Sequence, residues 1–379
     1  MSLSEATARI HPAEPVAESR RVLVVVIDGA AEHRGQVKSA LNSFYRIAAF
    51  DDGDLAVSEM ARCPPCVILV DEKAPPSGGP RIIARIRKVP ALANVPIIFT
   101  TGRDRVSLGQ EARQMGASAA LVKPFRRSAL MKTISGLVNR SIEAKWERLP
   151  EEQQACLRKT VDTFNGISDL IESGQPITYS QVTEACGPLV DVVQKSDYQS
   201  MLSGVRDHDN YSYVHSLRVA TLLSVFGNAI GLAESDLLVL ASGGLMHDVG
   251  KMSISHEVLN KPGRLSEEEF AVMKSHVAKT VDFLKESTTL PKGVVAVAER
   301  HHEKLDGTGY PRGLKGAELN DLARMASIVD VFSALTDRRV YKPPMTPEDA
   351  FKLMGDQMMA HLDQRLLTTF RDVLLSVGA

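Results

Sequence analysis

The sequence predicts a multidomain protein: an N-terminal α/β doubly wound domain, a helical linker and a C-terminal all-α helical bundle. Three observations predict it. Strand-sized apolar runs alternate with amphipathic segments over residues 21–140, the pattern of a parallel sheet covered on both faces. Residues 141–200 read as polar helix, broken by Pro176 and Gly187-Pro188. From residue 201 to the end, apolar residues recur at spacings of three and four, as on one face of a helix.

Residues 1–20 are rich in Ala, Glu, Ser and Pro and carry no apolar h-region, so a flexible tail is expected there rather than a secretory signal. The strand-like runs follow at residues 22–27, 45–50, 66–70, 97–100 and 119–122. Helical patterns at 32–41, 53–61, 81–88 and 109–115 separate them. Asp71 then falls at the C-terminal end of the third strand, where open α/β sheets place their sites. Cys63-Pro-Pro-Cys66 abuts that strand and has no second cysteine pair nearby. It reads as two small residues at a strand entrance rather than half a zinc site. The four cysteines fit a reducing, cytoplasmic setting.

Over about 120 residues this first domain resembles the response-regulator receiver, a flavodoxin-like fold. The residues that carry the resemblance are Val67-Ile68-Leu69-Val70-Asp71 with Pro75 and Gly78-Gly79, Thr101 after strand four, and Lys123-Pro124-Phe125. It implies that Asp71 accepts a phosphoryl group, supported by Asp28, Thr101 and Lys123, and that a histidine kinase or another signalling protein acts on the domain. Two departures stand out. Receivers carry two acidic residues after strand one to hold a divalent cation, whereas this chain has Asp28 and then Gly29. The aromatic switch position before Lys123 is Ala120. One carboxylate fewer weakens Mg²⁺ binding. Phosphorylation of Asp71 and a receiver fold kept for dimerisation or docking both remain open. The polar helices that follow are either a signal-transmitting connector or a plain spacer.

The C-terminal half carries the chemistry. Helical patterns run over residues 217–232, 237–247, 267–284, 293–303, 322–335 and 347–353, and Ser266-Glu267-Glu268-Glu269 has the form of a capping-box start. Residues 304–316 are the exception, a glycine-rich loop. His247-Asp248 ends an apolar helix, with Gly250-Lys251 after it. His301-His302 closes another, His276 lies mid-helix, and Asp330 interrupts an apolar run. Each alone is an ordinary packed or paired residue. Together they suggest a metal site, because a buried carboxylate needs a partner. Lys251 follows Asp248 by three residues, on about the same helical face if the helix continues.

The order of these residues from Asp209 to about Pro343 resembles the HD-GYP family of bacterial phosphodiesterases, a branch of the HD-domain metal hydrolases. The strings are His215-Ser216-Leu217-Arg218-Val219, Leu245-Met246-His247-Asp248-Val249-Gly250-Lys251, His301-His302-Glu303 and Asp306-Gly307-Thr308-Gly309-Tyr310-Pro311. The resemblance implies one metal held by His215, His247, Asp248 and Asp330. Asp248 would bridge to a second metal held by His276, His301 and His302. Tyr211 stands where some members place a Glu for a third metal, so two metals are expected. Imidazole and carboxylate ligands suit iron or manganese, with zinc, nickel or magnesium also admissible. Two cations about 3.5–4 Å apart can activate water and clamp a phosphoryl oxygen. Lys251 would stabilise charge growing on the phosphate, with Asp248 the other catalytic residue. Asp306, Gly309, Tyr310 and Pro311 would lie over the substrate, and Arg339 and Lys342 match positions that contact guanine or phosphate.

Composition narrows the partners. The net charge of −1 gives no global field for DNA, and no apolar run is long enough to cross a bilayer. The expected substrate is cyclic di-GMP, opened to linear pGpG and possibly on to GMP. A non-catalytic sensor or docking module with the same fold, or a hydrolase of another cyclic dinucleotide, would share these residues, and a homodimer is compatible with them.

Overall fold

The computed structural model describes residues 23–102, 110–111, 113–195, 198–200, 203, 211–259, 261, 263–337 and 344–376. The expected tail (1–20), Arg339 and Lys342 lie outside them. The chain divides into two compact units, an α/β unit that ends at Ser141 and a helical unit that starts at Ile142.

The α/β unit is a five-stranded, wholly parallel sheet of order β2-β1-β3-β4-β5. Its strands are β1 Leu23–Ile27, β2 Arg46–Phe50, β3 Val67–Asp71, β4 Ile97–Thr101 and β5 Ala119–Val122. All five residues of β3 are buried, as expected of a central strand covered on both faces. Successive residues therefore enter different cores. Val25, Ile27, Ile68 and Val70 join one core, while Val24, Val26, Val67 and Leu69 join the other. The helices are α1 Ala31–Leu41, α2 Gly53–Arg62, α3 Gly79–Lys88 and α4 Arg127–Val138. Of the expected 109–115 helix, residues 110, 111, 113 and 114 are helical and Met115 is in a turn. A Cβ at Gly79 would lie 2.3 Å from the Asp71 carbonyl oxygen, so α3 can start against the end of β3 only because residue 79 is glycine.

The helical unit contains α5 Arg140–Trp146 at its boundary, then α6 Glu151–Ser173 and α7 Tyr179–Gln194. The helices expected as a linker are integral to this unit: α7 packs against α6 and against both α8 Tyr211–Ala229 and α9 Glu234–Met246. Then come α10 Glu267–Lys285, α11 Lys292–Arg300, α12 Asp321–Thr336, α13 Pro347–Gln357 and α14 Gln364–Ser376. Helix α10 begins with the capping box read from Ser266, whose hydroxyl accepts from the Glu269 N–H while Glu269 accepts from the Ser266 N–H. Helix α14 lies in the stretch read as helical to the end, beyond the last separate pattern at 347–353. It is held by an aromatic cluster in which the Phe370 ring lies 5.1 Å from Phe226 and 5.4 Å from Phe332.

Close backbone approach sets the position of α9. A Cβ at Gly244 would meet the Ala220 backbone at 2.8 Å. Glycine there lets α9 lie against α8 and carries His247 and Asp248 to where α10, α11 and α12 meet. Among the described residues, no helix is long and apolar enough to cross a membrane.

Candidate metal centre

Helix α9 ends at Met246, and His247 and Asp248 follow at the junction with a 3₁₀ turn, Val249–Ser253. The turn fits against α10 because Gly250 has no side chain; a Cβ there would lie 2.1 Å from the His276 carbonyl oxygen. His215 comes from α8, His276 from α10, His301 and His302 from the end of α11, and Asp330 from α12. All seven expected ligands therefore converge. They form two groups, His215 with His247 and Asp330, and Asp248 with His276, His301 and His302, with ligand atoms within 4.8 Å of one another in each.

Asp248 links the groups through its two oxygens. Oδ2 lies 3.2 Å from His247 Nε2 and 3.6 Å from His215 Nε2. Oδ1 lies 3.2 Å from His276 Nε2 and 3.8 Å from His301 Nε2. Asp330 spans in the same sense: Oδ1 is 3.0 Å from His215 Nε2, and Oδ2 is 3.6 Å from His302 Nδ1.

The imidazoles are oriented from behind. His247, His276 and His301 each direct Nδ1 at the backbone carbonyl three residues earlier, on Gly244, Met273 and Ala298, at 2.7, 2.5 and 2.8 Å. Donation by Nδ1–H leaves Nε2 as the inward-facing acceptor, the arrangement a metal ligand needs. Those three Nε2 atoms and Asp248 Oδ1 are buried without a hydrogen-bond partner. Buried polar atoms are rarely left so. Four of them aimed at one another fit a site built to hold cations.

The charges conflict accordingly. Burial disfavours the charged form of His247, but Asp248 and Asp330 outweigh it and raise the imidazole to about 10. Burial and the charge of His247 push His301 down to about 3. Burial would raise the Asp248 carboxyl, yet His247 and Lys251 hold it well below the usual carboxylate range. The buried carboxylates of Asp248 and Asp330 thus favour positive charge at the centre.

Lys251 reaches this centre. Its Nζ lies 2.5 Å from Asp248 Oδ2, a one-turn return made by the 3₁₀ geometry after Asp248, and its side chain is 20% exposed. The Asp306–Pro311 loop sits beside His302. Tyr310 donates its backbone N–H to the His302 carbonyl, and its ring lies 4.7 Å from the His302 ring. Gly309 presses on the backbone of Glu303 and Lys304, with a Cβ position 2.4 Å from the Lys304 nitrogen. Asp306 is engaged by its own turn, accepting from the Thr308 N–H and hydroxyl. Pro311 is exposed.

Three supporting residues had no role assigned to them in the sequence. Glu303 is buried and accepts from the Arg312 and Leu314 N–H groups, pinning the loop. Asp337 Oδ2 lies 3.1 Å from His215 Nδ1, and Arg218 donates to Asp337 Oδ1 at 2.8 Å. Asp337 did carry a signal, a carboxylate closing an apolar helix as Asp248 does. The Glu303 signal was its place directly after His301-His302.

The α/β unit has its own polar cluster. Lys123 Nζ lies 2.5 Å from Asp71 Oδ2 and 2.9 Å from Asp28 Oδ2. Burial would raise the Asp28 carboxyl, but hydrogen bonds from His33, Lys123 and the Ala30 N–H hold it at about 2. His33, passed over in the sequence, lies 2.5 Å from Asp28. Thr101 is the last residue of β4 rather than the residue after it, and its hydroxyl donates to Glu72. Thr100, paired with Asp71 in the sheet, has its hydroxyl 3.4 Å from the Asp71 carboxylate.

Comparison with known proteins fits this geometry. Residues 199–366 match the HD domain family and residues 24–135 the response regulator receiver domain. A Vibrio cholerae serotype O1 protein named "Probable cyclic di-GMP phosphodiesterase" is 26% identical, covering 92% of this chain and 76% of its own. The cyclic di-GMP phosphodiesterase response regulator RpfG of Xanthomonas campestris pv. campestris is 27% identical, covering 90% and 85%. A V. cholerae 3'3'-cGAMP-specific phosphodiesterase 3 is 33% identical over 43% of this chain and 35% of its own.

Proposed function

We propose that this chain, which joins a receiver domain to an HD domain, is a phosphodiesterase that hydrolyses cyclic di-GMP at a centre of two divalent cations. The observation that carries the reading is the single carboxylate of Asp248 with one oxygen facing each of two ligand groups. His215, His247 and Asp330 would hold one cation and His276, His301 and His302 the other, with Asp248 between them. Iron or manganese suits this mixture of imidazole and carboxylate best. When bound, the pair supplies Lewis acidity that acidifies the attacking water and neutralises the phosphodiester.

The protein's own residues do the rest. Asp248 and Asp330 fix the positions of both ligand groups. Lys251, partly exposed on a flexible stem, can turn from Asp248 toward a phosphoryl oxygen as charge grows there. Tyr310, against His302, offers a ring beside the centre on which a base can rest. Arg339 and Lys342 are assigned to guanine or phosphate contact on sequence alone. Opening one ester gives linear pGpG, and a second cut gives GMP. Asp71 is the phosphoacceptor through which a histidine kinase tunes the reaction.

The test is to purify the full chain with Mn²⁺ or Fe²⁺ and follow cyclic di-GMP by chromatography. Conversion to pGpG is expected. Binding without turnover would replace the hydrolase by a sensor. The cGAMP-specific relative makes a second substrate worth measuring, and faster loss of 3'3'-cGAMP than of cyclic di-GMP would move the assignment to it.

A further inference from the structure

His215 differs from the other inward-facing imidazoles in what stands behind it. His247, His276 and His301 are oriented by carbonyls of their own helices, three residues earlier. Such orientation is supplied wherever the helix forms. His215 has its Nδ1 on Asp337, a residue 122 positions away. Its Nε2 faces Asp330 Oδ1 at 3.0 Å and Asp248 Oδ2 at 3.6 Å. The orientation of this one ligand therefore depends on a tertiary contact between α8 and the end of α12.

We infer that Asp337 is a positioning residue for the metal centre, acting through His215 and held in place by Arg218. The inference rests on the two-cation reading above. Both His215 and Asp337 are buried, so their contact is little screened. A carboxylate behind a ligating imidazole fixes its tautomer, with the proton on Nδ1, and makes Nε2 the more basic donor. Asp337 is itself prepared for this. Arg218, one turn after His215 on α8, donates through one guanidinium nitrogen to Asp337 Oδ1 at 2.8 Å and through the other to Thr336 Oγ1 at 2.9 Å. The Ser333 hydroxyl lies 3.3 Å from Asp337 Oδ2. The buried carboxylate is thus charge-balanced by Arg218 while Oδ2 remains directed at the imidazole.

Disturbing Asp337 should affect the two cations unequally. The group containing His215 loses its orientation, and the group of His276, His301 and His302 keeps its own. The experiment titrates the full chain, freed of metal by chelation, with Mn²⁺ alone and follows the free ion by electron paramagnetic resonance. The parent is expected to take up two ions. Asp337→Ala is expected to retain one at parental affinity and to bind the other about 10–100-fold more weakly. Asp337→Asn, whose carbonyl can still accept from Nδ1–H, should fall between. Thermal unfolding of the metal-free proteins is read alongside, because a merely structural role lowers the unfolding midpoint without separating the two affinities. If Asp337→Ala does not fold, Asp337→Asn decides. Two ions at parental affinity in the variants, or equal weakening of both, overturns the inference, as does a parent that takes up no Mn²⁺. A parent that binds two ions but leaves cyclic di-GMP intact removes the substrate assignment and leaves the inference standing.

Discussion

The protein carries two carboxylate-centred sites that solve the same electrostatic problem in different ways. In the α/β unit, Asp28 and Asp71 share the Lys123 ammonium, His33 meets the same Asp28 oxygen, and the Ala30 N–H donates to the other. In the helical unit, Lys251 meets one oxygen of Asp248, but the other oxygen and three imidazole nitrogens around it have no hydrogen-bond partner. A buried polar atom without a partner costs roughly 1–3 kcal/mol. The first site is satisfied from within the protein, and the second is organised for something brought from outside. The difference separates a carboxylate pair balanced by the protein's own cations from a cluster left with unpartnered buried atoms.

The largest expected effect tests that separation directly. Asp248→Ala removes the carboxylate whose two oxygens each face two imidazoles of a different ligand group, so metal content should fall from about two per chain toward zero and hydrolysis by roughly 10³-fold or more. Asp71→Ala should leave metal content at two and abolish the response to beryllofluoride. Elemental analysis of both variants checks the pair. Equal metal loss in both would dissolve the distinction. Next in size is Lys251→Ala. Losing one preorganised cation at the developing charge should lower kcat by about 10²–10³-fold. A variant with unchanged kcat would return Lys251 to the role of an ion-pair partner for Asp248.

The proton on His247 sharpens the contrast by a route independent of turnover. Its imidazole is raised to about 10 in the ion-free protein. Because this pKa lies above the ordinary value of 6.5, the proton is present at neutral pH and is shed only as pH rises through about 10. A cation needs the neutral imidazole, so uptake must displace the proton. Mn²⁺ affinity should therefore rise about tenfold per pH unit for each proton displaced, between pH 6.5 and 10. Calorimetry in buffers of different ionisation enthalpy counts the protons released. A count of zero at pH 8 would mean that His247 is neutral without metal.

How much of this was legible in the sequence follows from what each feature depends on. The strands and most helices were readable because burial periodicity is local: Val24 and Val25 enter opposite cores by simple alternation. Polar residues in apolar helices pointed to a metal site, but the set of seven converging ligands came from the resemblance of their strings to the HD-GYP family. Helix α14 lies in the stretch read as helical, but its place was not readable, since it depends on Phe370 meeting Phe226 and Phe332 from distant segments. The same holds for Asp337 behind His215 and for Glu303 under the loop. Partners 122 residues apart, or backbone N–H groups at Arg312 and Leu314, leave no periodic trace. His33 was missed for a simpler reason. Its contact is made across the strand-to-helix turn, where spacing from Asp28 gives no pattern of its own.

That imidazole gives the smallest effect and the finest test of the comparison. His33 and Lys123 both approach Asp28 Oδ2, at 2.5 and 2.9 Å, so the carboxylate keeps its charge down to about pH 2. The sign follows from the depressed pKa. The stability contributed by ionised Asp28 is present above its ordinary value of 3.8 and is lost as pH falls through about 2. His33→Ala removes one of the three donors. The Asp28 carboxyl should then titrate between 2 and 3.8, which a carbon-detected carboxyl titration can read. Freeing one face of the carboxylate should also raise Mg²⁺ affinity at this site, by less than about tenfold because the second acid is still lacking. Restoring that acid is the harder substitution, since a Cβ at Gly29 would sit 3.1 Å from Pro75 Cδ. If His33→Ala leaves both the titration and Mg²⁺ binding unchanged, then Lys123 and the Ala30 N–H suffice for Asp28, and the imidazole is packing against Phe125 rather than part of the site.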